Sequence, residues 1–234
     1  MNGKLGGIAV AAIAAFLLVR SQSAKAVMID STERDAGESQ PDVVIDIANP
    51  EPQDEQLYEV QPMTNQSADN IKAFLYMIRS CEHVFPRDVQ DNACYSIFYG
   101  GSFFDSFADH PVITGEKVKV LFTPEQCSRY GYRYGEGWGS TAAGAYQIIK
   151  PTWSRIRELE PRLPDFSPAS QDRAAIRLLD ECGAMPYIEA GDFDSAIKKA
   201  SKLWASLPGS NANQGGRSFD YALARYQESL TGVA

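Results

Sequence analysis

The 234-residue sequence predicts an α+β domain, with a small β-hairpin lobe, a larger helical lobe and a cleft between them. Two observations carry this. Aromatic-rich segments between Cys94 and Phe107 flank Gly100-Gly101, a pair suited to the positive φ of a hairpin turn. After Gly139 the apolar positions take up helical spacing, punctuated by cap and stop residues.

Taken in order, a first helix is expected from Ser67 to Glu82, ending ahead of Pro86, and the hairpin follows it. Pro111 to Gly139 reads as irregular, loop with some strand. Ser140 or Thr141 is placed to cap a short helix over Ala142 to Ile149. Pro151 suits the first position of the next helix, through Trp153 and Ile156. Ser167-Pro168 opens another that closes at Gly183, with Ala174, Ala175, Leu178 and Leu179 as its apolar stripe. Asp192 caps a segment carrying Ala196, Ile197, Ala200, Leu203 and Trp204, stopped by Leu207-Pro208-Gly209. A last helix runs from Ser218 to Leu230.

Two regions precede this domain, which is assigned to residues 69–234. Residues 1–26 have Lys4, an apolar run of 15 from Leu5 to Val19, and Ala24-Lys25-Ala26, a small-x-small pattern. They predict a signal peptide or an uncleaved signal-anchor, hence an exported, periplasmic chain, released or tethered to the inner membrane according to cleavage. Residues 27–68 predict an acidic disordered linker. Ten acidic residues against Arg34 between Asp30 and Glu59, with Pro41, Pro50, Pro52 and Pro62, leave too little apolar surface to offset chain entropy. The overall charge of −8 belongs to that linker, and residues from 60 onward carry only −2. No basic excess points to nucleic acid.

Cys81, Cys94, Cys127 and Cys182 permit two disulfides with three connectivities in an exported chain. Their spacing does not fit zinc. Cys81 adjoins Glu82, so a disulfide exchange there that activates the enzyme on release from the membrane is a further expectation.

Glu82 is the leading candidate for chemistry. It follows Ile71 by eleven positions, which at about 100° per residue returns it to within roughly 20° of the Ile71, Phe74, Leu75 and Ile78 face. A carboxyl on an apolar stripe is either desolvated and kept protonated, as a general acid requires, or paired with a buried Arg or a cap. A buried acid at a cleft edge suits glycoside cleavage. Asp88, Asp91, Asp105 and Asp109 are candidates by type for a second carboxylate. Asp91 has the Glu-to-Asp spacing of one class of phage lysozymes, but Ile97 stands where that pattern has Thr.

A set of motifs runs in one order from about residue 70 to 230. Ala73-Phe-Leu-Tyr-Met-Ile-Arg-Ser-Cys-Glu82, Tyr99-Gly-Gly-Ser-Phe-Phe-Asp105 and Asp109-His-Pro111 come first. Ser140-Thr-Ala-Ala-Gly-Ala-Tyr-Gln147, Asp165-Phe-Ser-Pro-Ala-Ser-Gln-Asp172, Gly183-Ala-Met-Pro186 and Leu203-Trp-Ala-Ser-Leu-Pro-Gly209 follow. Together they resemble the phage lambda endolysin family.

The resemblance implies a lysozyme-like fold and a lytic transglycosylase acting on peptidoglycan strands, monomeric, without cofactor or metal. Glu82 would be its single catalytic acid. Gly144, Tyr146 and Gln147 would line the glycan cleft. His110 would bond substrate or form a turn, and Trp138, in a glycine-flanked loop, would stack on a sugar. Trp153 and Trp204 sit at core spacing. The alternatives are a hydrolytic muramidase with a second carboxylate, and a non-catalytic wall-binding or virion structural protein.

Overall fold

The computed structural model describes residues 65–160, 163–210 and 216–232. The leader and most of the acidic linker lie outside the described residues. The chain enters on α1 (Asn65–Glu82), then α2 (Pro86–Gln90) and a 3₁₀ turn (Ala93–Ser96). The antiparallel hairpin of β1 (Ile97–Phe98) and β2 (Ser102–Phe103) follows, pairing Ile97 with Phe103 and Phe98 with Ser102. Gly100 and Gly101 turn it at φ +87° and +88°, the left-handed region that a side chain would strain. A second two-stranded ribbon joins β3 (Val120–Leu121) to β4 (Gly139–Ser140).

Between those strands lies α3 (Pro124–Tyr130), a helix the irregular composition of this stretch did not announce. It is held locally: Thr123 and Gln126 form a reciprocal capping box, and Gly131 ends the helix in the left-handed region. The helical lobe consists of α4 (Lys150–Leu159), α5 (Pro168–Glu181), α6 (Met185–Glu189), α7 (Phe193–Ala200) and α8 (Phe219–Leu230). Ser167, Asp192 and Ser218 cap α5, α7 and α8 through their side chains, at the positions read from the sequence. α7 stops at Ala200, so Leu203 and Trp204 reach the core from the turns beyond it.

α1 is the centre of the lobe. It packs chiefly on α8 and also on α6, and Phe74 meets Phe193 and Tyr226 edge-on at 6.1 and 6.4 Å. Every residue from Ala73 to Ile78 is buried, so over this stretch, more than one full turn, the helix is covered on all sides. This enclosure is what desolvates the groups at its C-terminal end.

The expected helix over Ala142 to Ile149 does not form. Tyr99 donates its N–H to Ala142 O at 2.8 Å, and Gly144 donates to Ile97 O at 2.8 Å, drawing the segment along the hairpin. Ala143 and Ile148 then pair with each other across a tight loop, with Gly144 at φ +74° and Gln147 at φ +47°. Alanine's helix preference, at most several tenths of a kcal/mol per residue over other side chains, yields to these tertiary hydrogen bonds.

Candidate active site

Glu82 is the last residue of α1 and is 5% exposed. Ser206 donates its hydroxyl to Oε1, while Oε2 is buried without a hydrogen-bond partner. Burial pushes the carboxyl up to about 8, against the opposing pull of the Ser206 hydrogen bond and the Arg217 charge. The partial negative charge of a helix C-terminus also disfavours the ionised form. Burial thus favours the neutral form of Glu82 at neutral pH, the form that a general acid requires.

The next residue anchors this end of the helix. His83 is buried, its Nε2 lies 3.1 Å from Ala145 O, and Arg217 donates from Nη2 to His83 O at 3.0 Å. Burial lowers His83 to about 4, so the ring is neutral and its Nε2–H donates to Ala145 O. The Gly144–Gln147 loop is thereby fastened beside the acid.

That loop is fastened from behind as well. Gln171 on α5 accepts from Ala145 N at 2.9 Å and donates to Tyr95 O and Phe166 O. A Cβ on Gly144 would lie 2.0 Å from Gln171 Oε1, so glycine is required here for the approach of a side-chain amide. Tyr146, 1% exposed, donates to Asp172 Oδ1 at 2.5 Å, and Tyr95 donates to the same oxygen at 2.7 Å. Arg79 closes the cluster, 3.6 Å from Asp172.

Gly144 and Tyr146 are thus corrected from cleft-lining residues to supports of the loop. Gln147 keeps a free capacity: its Nε2 donates to Gly144 O and Ile97 O, while the buried Oε1 has no partner. The substrate-bonding reading of His110 is also corrected. The ring is fully buried against Phe166, its Nε2 meets Ile148 O at 3.1 Å, and Nδ1 accepts from Val112 N. His110 O opens the turn that receives Ile113 N and Thr114 N.

Two of the four candidate second carboxylates, Asp91 and Asp109, are engaged elsewhere. Asp91 pairs with Arg87 in an exposed i,i+4 contact, and Asp109 binds Trp153 Nε1 and Arg157. The Asp105 backbone N–H is bound to Glu116. Among the described residues, no carboxylate hydrogen-bonds Glu82.

The four cysteines are free, which corrects the expected pairing. Cys81 Sγ lies 3.8 Å from Met77 Sδ, and burial, reinforced by Glu82, pushes the thiol up to about 12. A thiol held protonated in this way is not the reactive group expected beside the acid.

Trp153 and Trp204 are buried, as their spacing predicts. Trp138 is half-buried and lines a cavity of about 400 Å³ between the β3–β4 ribbon, α3 and the start of α4. Glu82 is not among its lining residues.

Sequence reasoning passed over Ser206, Arg217 and Asp172. Ser206 and Asp172 lie inside quoted motifs, Trp-Ala-Ser-Leu-Pro-Gly and Ser-Gln-Asp, so a signal existed. Arg217 had none, since its partner is a backbone carbonyl 134 positions away in the chain.

Comparison with known proteins places these features. The family model described as Endolysin matches residues 72–233. The endolysin of Escherichia phage lambda is 34% identical over 159 residues, covering 68% of this chain and 89% of that relative. The endolysin of Escherichia phage P2 is 37% identical over 150 residues, covering 62% and 83%. Among solved structures, bacteriophage lambda lysozyme complexed with a chitohexasaccharide superposes with a TM-score of 0.56 at 33% identity, covering 69% of this chain and 94% of that one. A further structure, lysozyme from bacteriophage lambda, gives 0.52 at 30% identity with the same coverage.

Proposed function

The chain belongs to the endolysin family of cell-wall-degrading enzymes, with a lysozyme-like α+β fold, and on that premise we propose that it is a lytic transglycosylase of peptidoglycan. The observation that carries the reading is Glu82: a neutral, buried acid with one carboxyl oxygen unpartnered and no second carboxylate bound to it among the described residues. The solved lambda lysozyme complex with a chitohexasaccharide supports a glycan as substrate.

In the proposed reaction the Oε2 proton of Glu82 passes to the oxygen linking N-acetylmuramic acid to N-acetylglucosamine. The bond from the anomeric carbon to that oxygen breaks through an oxocarbenium-like transition state. The Glu82 carboxylate then takes the proton from the muramoyl 6-hydroxyl as that oxygen bonds to the anomeric carbon. The result is a 1,6-anhydromuramoyl end and a free 4-hydroxyl, with no water consumed and Glu82 protonated again. One carboxyl suffices because the nucleophile belongs to the substrate. Ser206 holds the oxygen that does not transfer the proton, and Gln147 Oε1 is placed to accept from a sugar amide. Residues 1–26 would carry the enzyme across the inner membrane to this substrate.

Mass spectrometry of muropeptides released from purified peptidoglycan tests the reading. Products lighter by one water than the reducing muropeptides, absent with Glu82→Gln, are expected. Reducing ends from the parent enzyme would replace it with a hydrolase.

A further inference from the structure

The cavity beside the β3–β4 ribbon has the composition of a binding site. Its wall is a parallel stack of three rings: Phe122 and Tyr132 at 6.1 Å and 15°, then Tyr132 and Trp138 at 4.3 Å and 14°. Phe122 is buried, but Tyr132 and Trp138 stand half-exposed in the cavity. Its volume of about 400 Å³ is at the scale of sites for small organic groups, which pair an apolar wall with a few polar groups.

Of the three charged lining residues two are cations. Lys119 and Lys150 line the cavity from different elements, and both are exposed. Lys119 Nζ is held by Gly137 O at 2.7 Å, and Lys150 N is held by Thr141 Oγ1 at 3.0 Å. Lys150 opens α4, where the helix dipole disfavours a cation, so helix stability does not account for it. Together with that helix start it makes the rim attractive to an anion. The acidic lining residue, Glu136, accepts from Trp138 Nε1 at 3.2 Å and lies 3.9 Å from Arg133, which orients the indole and offsets the negative charge.

A flat apolar wall with cations at its rim fits a sugar ring bearing a carboxylate arm. In a peptidoglycan strand the muramoyl units match this description: the ring has an apolar C–H face, and the strand's negative charge lies on the peptides attached there. We propose that this cavity is a subsite for a peptide-bearing muramoyl unit, with the ring on Trp138 and a peptide carboxylate between Lys119 and Lys150. The proposal rests on the reading of the chain as a peptidoglycan-cleaving enzyme. Reach permits it. Thr141 at the cavity edge and Ala145, which contacts His83, are four residues apart and so at most about 14 Å. These two backbone positions therefore lie within the length of a short glycan.

The test is equilibrium binding to the full chain carrying Glu82→Gln, which removes the acid but not the cavity. The probes are a peptide-bearing muramoyl tetrasaccharide, the same saccharide after amidase removal of its peptides, and chitotetraose. The peptide-bearing probe is expected to bind about tenfold tighter than the stripped one, an advantage that shrinks as salt rises. Adding Lys150→Ala, a surface change, should remove most of that advantage, while Trp138→Ala should weaken all three probes.

Equal affinity for peptide-bearing and stripped saccharides overturns the proposal, as does an advantage untouched by Lys150→Ala and Lys119→Ala. The parent enzyme's products are scored separately. Anhydro ends without a peptide advantage would remove the subsite and leave the catalytic reading standing, whereas a peptide advantage without cleavage would do the reverse.

Discussion

Ser206 donates its hydroxyl to Oε1 of Glu82 from 124 positions further along the chain. The contact distinguishes the two carboxyl oxygens, one fixed by the protein and one without a hydrogen-bond partner. It also lowers the affinity of Glu82 for its proton, opposing the effect of burial.

A general acid must be protonated to act. With Glu82 raised to about 8, kcat/KM should hold through neutral pH and fall as pH rises past about 8. A profile of initial rates on purified peptidoglycan from pH 5 to 10 checks this. A fall centred near 4.5 would mean an acid that is not desolvated in solution.

Ser206→Ala removes a hydrogen bond that favours the carboxylate, so the alkaline limb should move to higher pH. Loss of positioning should lower the plateau about five- to tenfold, corresponding to roughly 1 kcal/mol for one hydrogen bond. The shift in the limb separates this from a merely structural effect, which would lower the rate at every pH alike.

Burying Glu82 has a cost that depends on pH. Between the ordinary value of 4.5 and about 8 the folded chain holds a proton that the unfolded chain has released. Stability linked to this group is therefore fully present below 4.5 and declines as pH rises toward 8. Glu82→Gln carries no such penalty. It should exceed the parent's stability at pH 8 by on the order of a few kcal/mol and match it near pH 4, as read by denaturant unfolding at both values.

Gly144→Ala should be among the more damaging single changes. The added carbon would lie 2.0 Å from Gln171 Oε1 at φ +74°, so either the loop or the amide must move. We expect a loss of about 2 kcal/mol or more and a Tm lower by roughly 5 °C, measured calorimetrically.

The thiols should behave as four free, mostly sheltered groups. Cys182, half-buried, should react first with a thiol reagent in the native state, and Cys81 only on unfolding. Cys81→Ser should leave the activity of the purified enzyme unchanged, with or without reductant. A redox-dependent rate abolished by that substitution would reinstate the regulatory expectation.

Features with local causes were legible in the sequence. The caps at Ser167, Asp192 and Ser218 bond to backbone groups three positions on, and Gly100-Gly101 turns a hairpin between neighbouring segments. Glu82 was legible as well, because the face of a helix that a residue occupies follows from its spacing alone. Nothing local marked the destination of Ala142 to Ile149, whose alanines favour a helix until Ile97 and Tyr99 supply backbone partners from the hairpin. Nor could spacing show that Tyr146 and His110 point inward, or that the four sulfurs stay apart. The sequence by itself determined the elements and placed an acid on the covered side of α1. Only the tertiary structure decided how deeply the acid is buried, which of its oxygens is without a partner, and where the aromatic cavity lies. Those outcomes depend on desolvation and on partners distant in the chain, which no local pattern encodes.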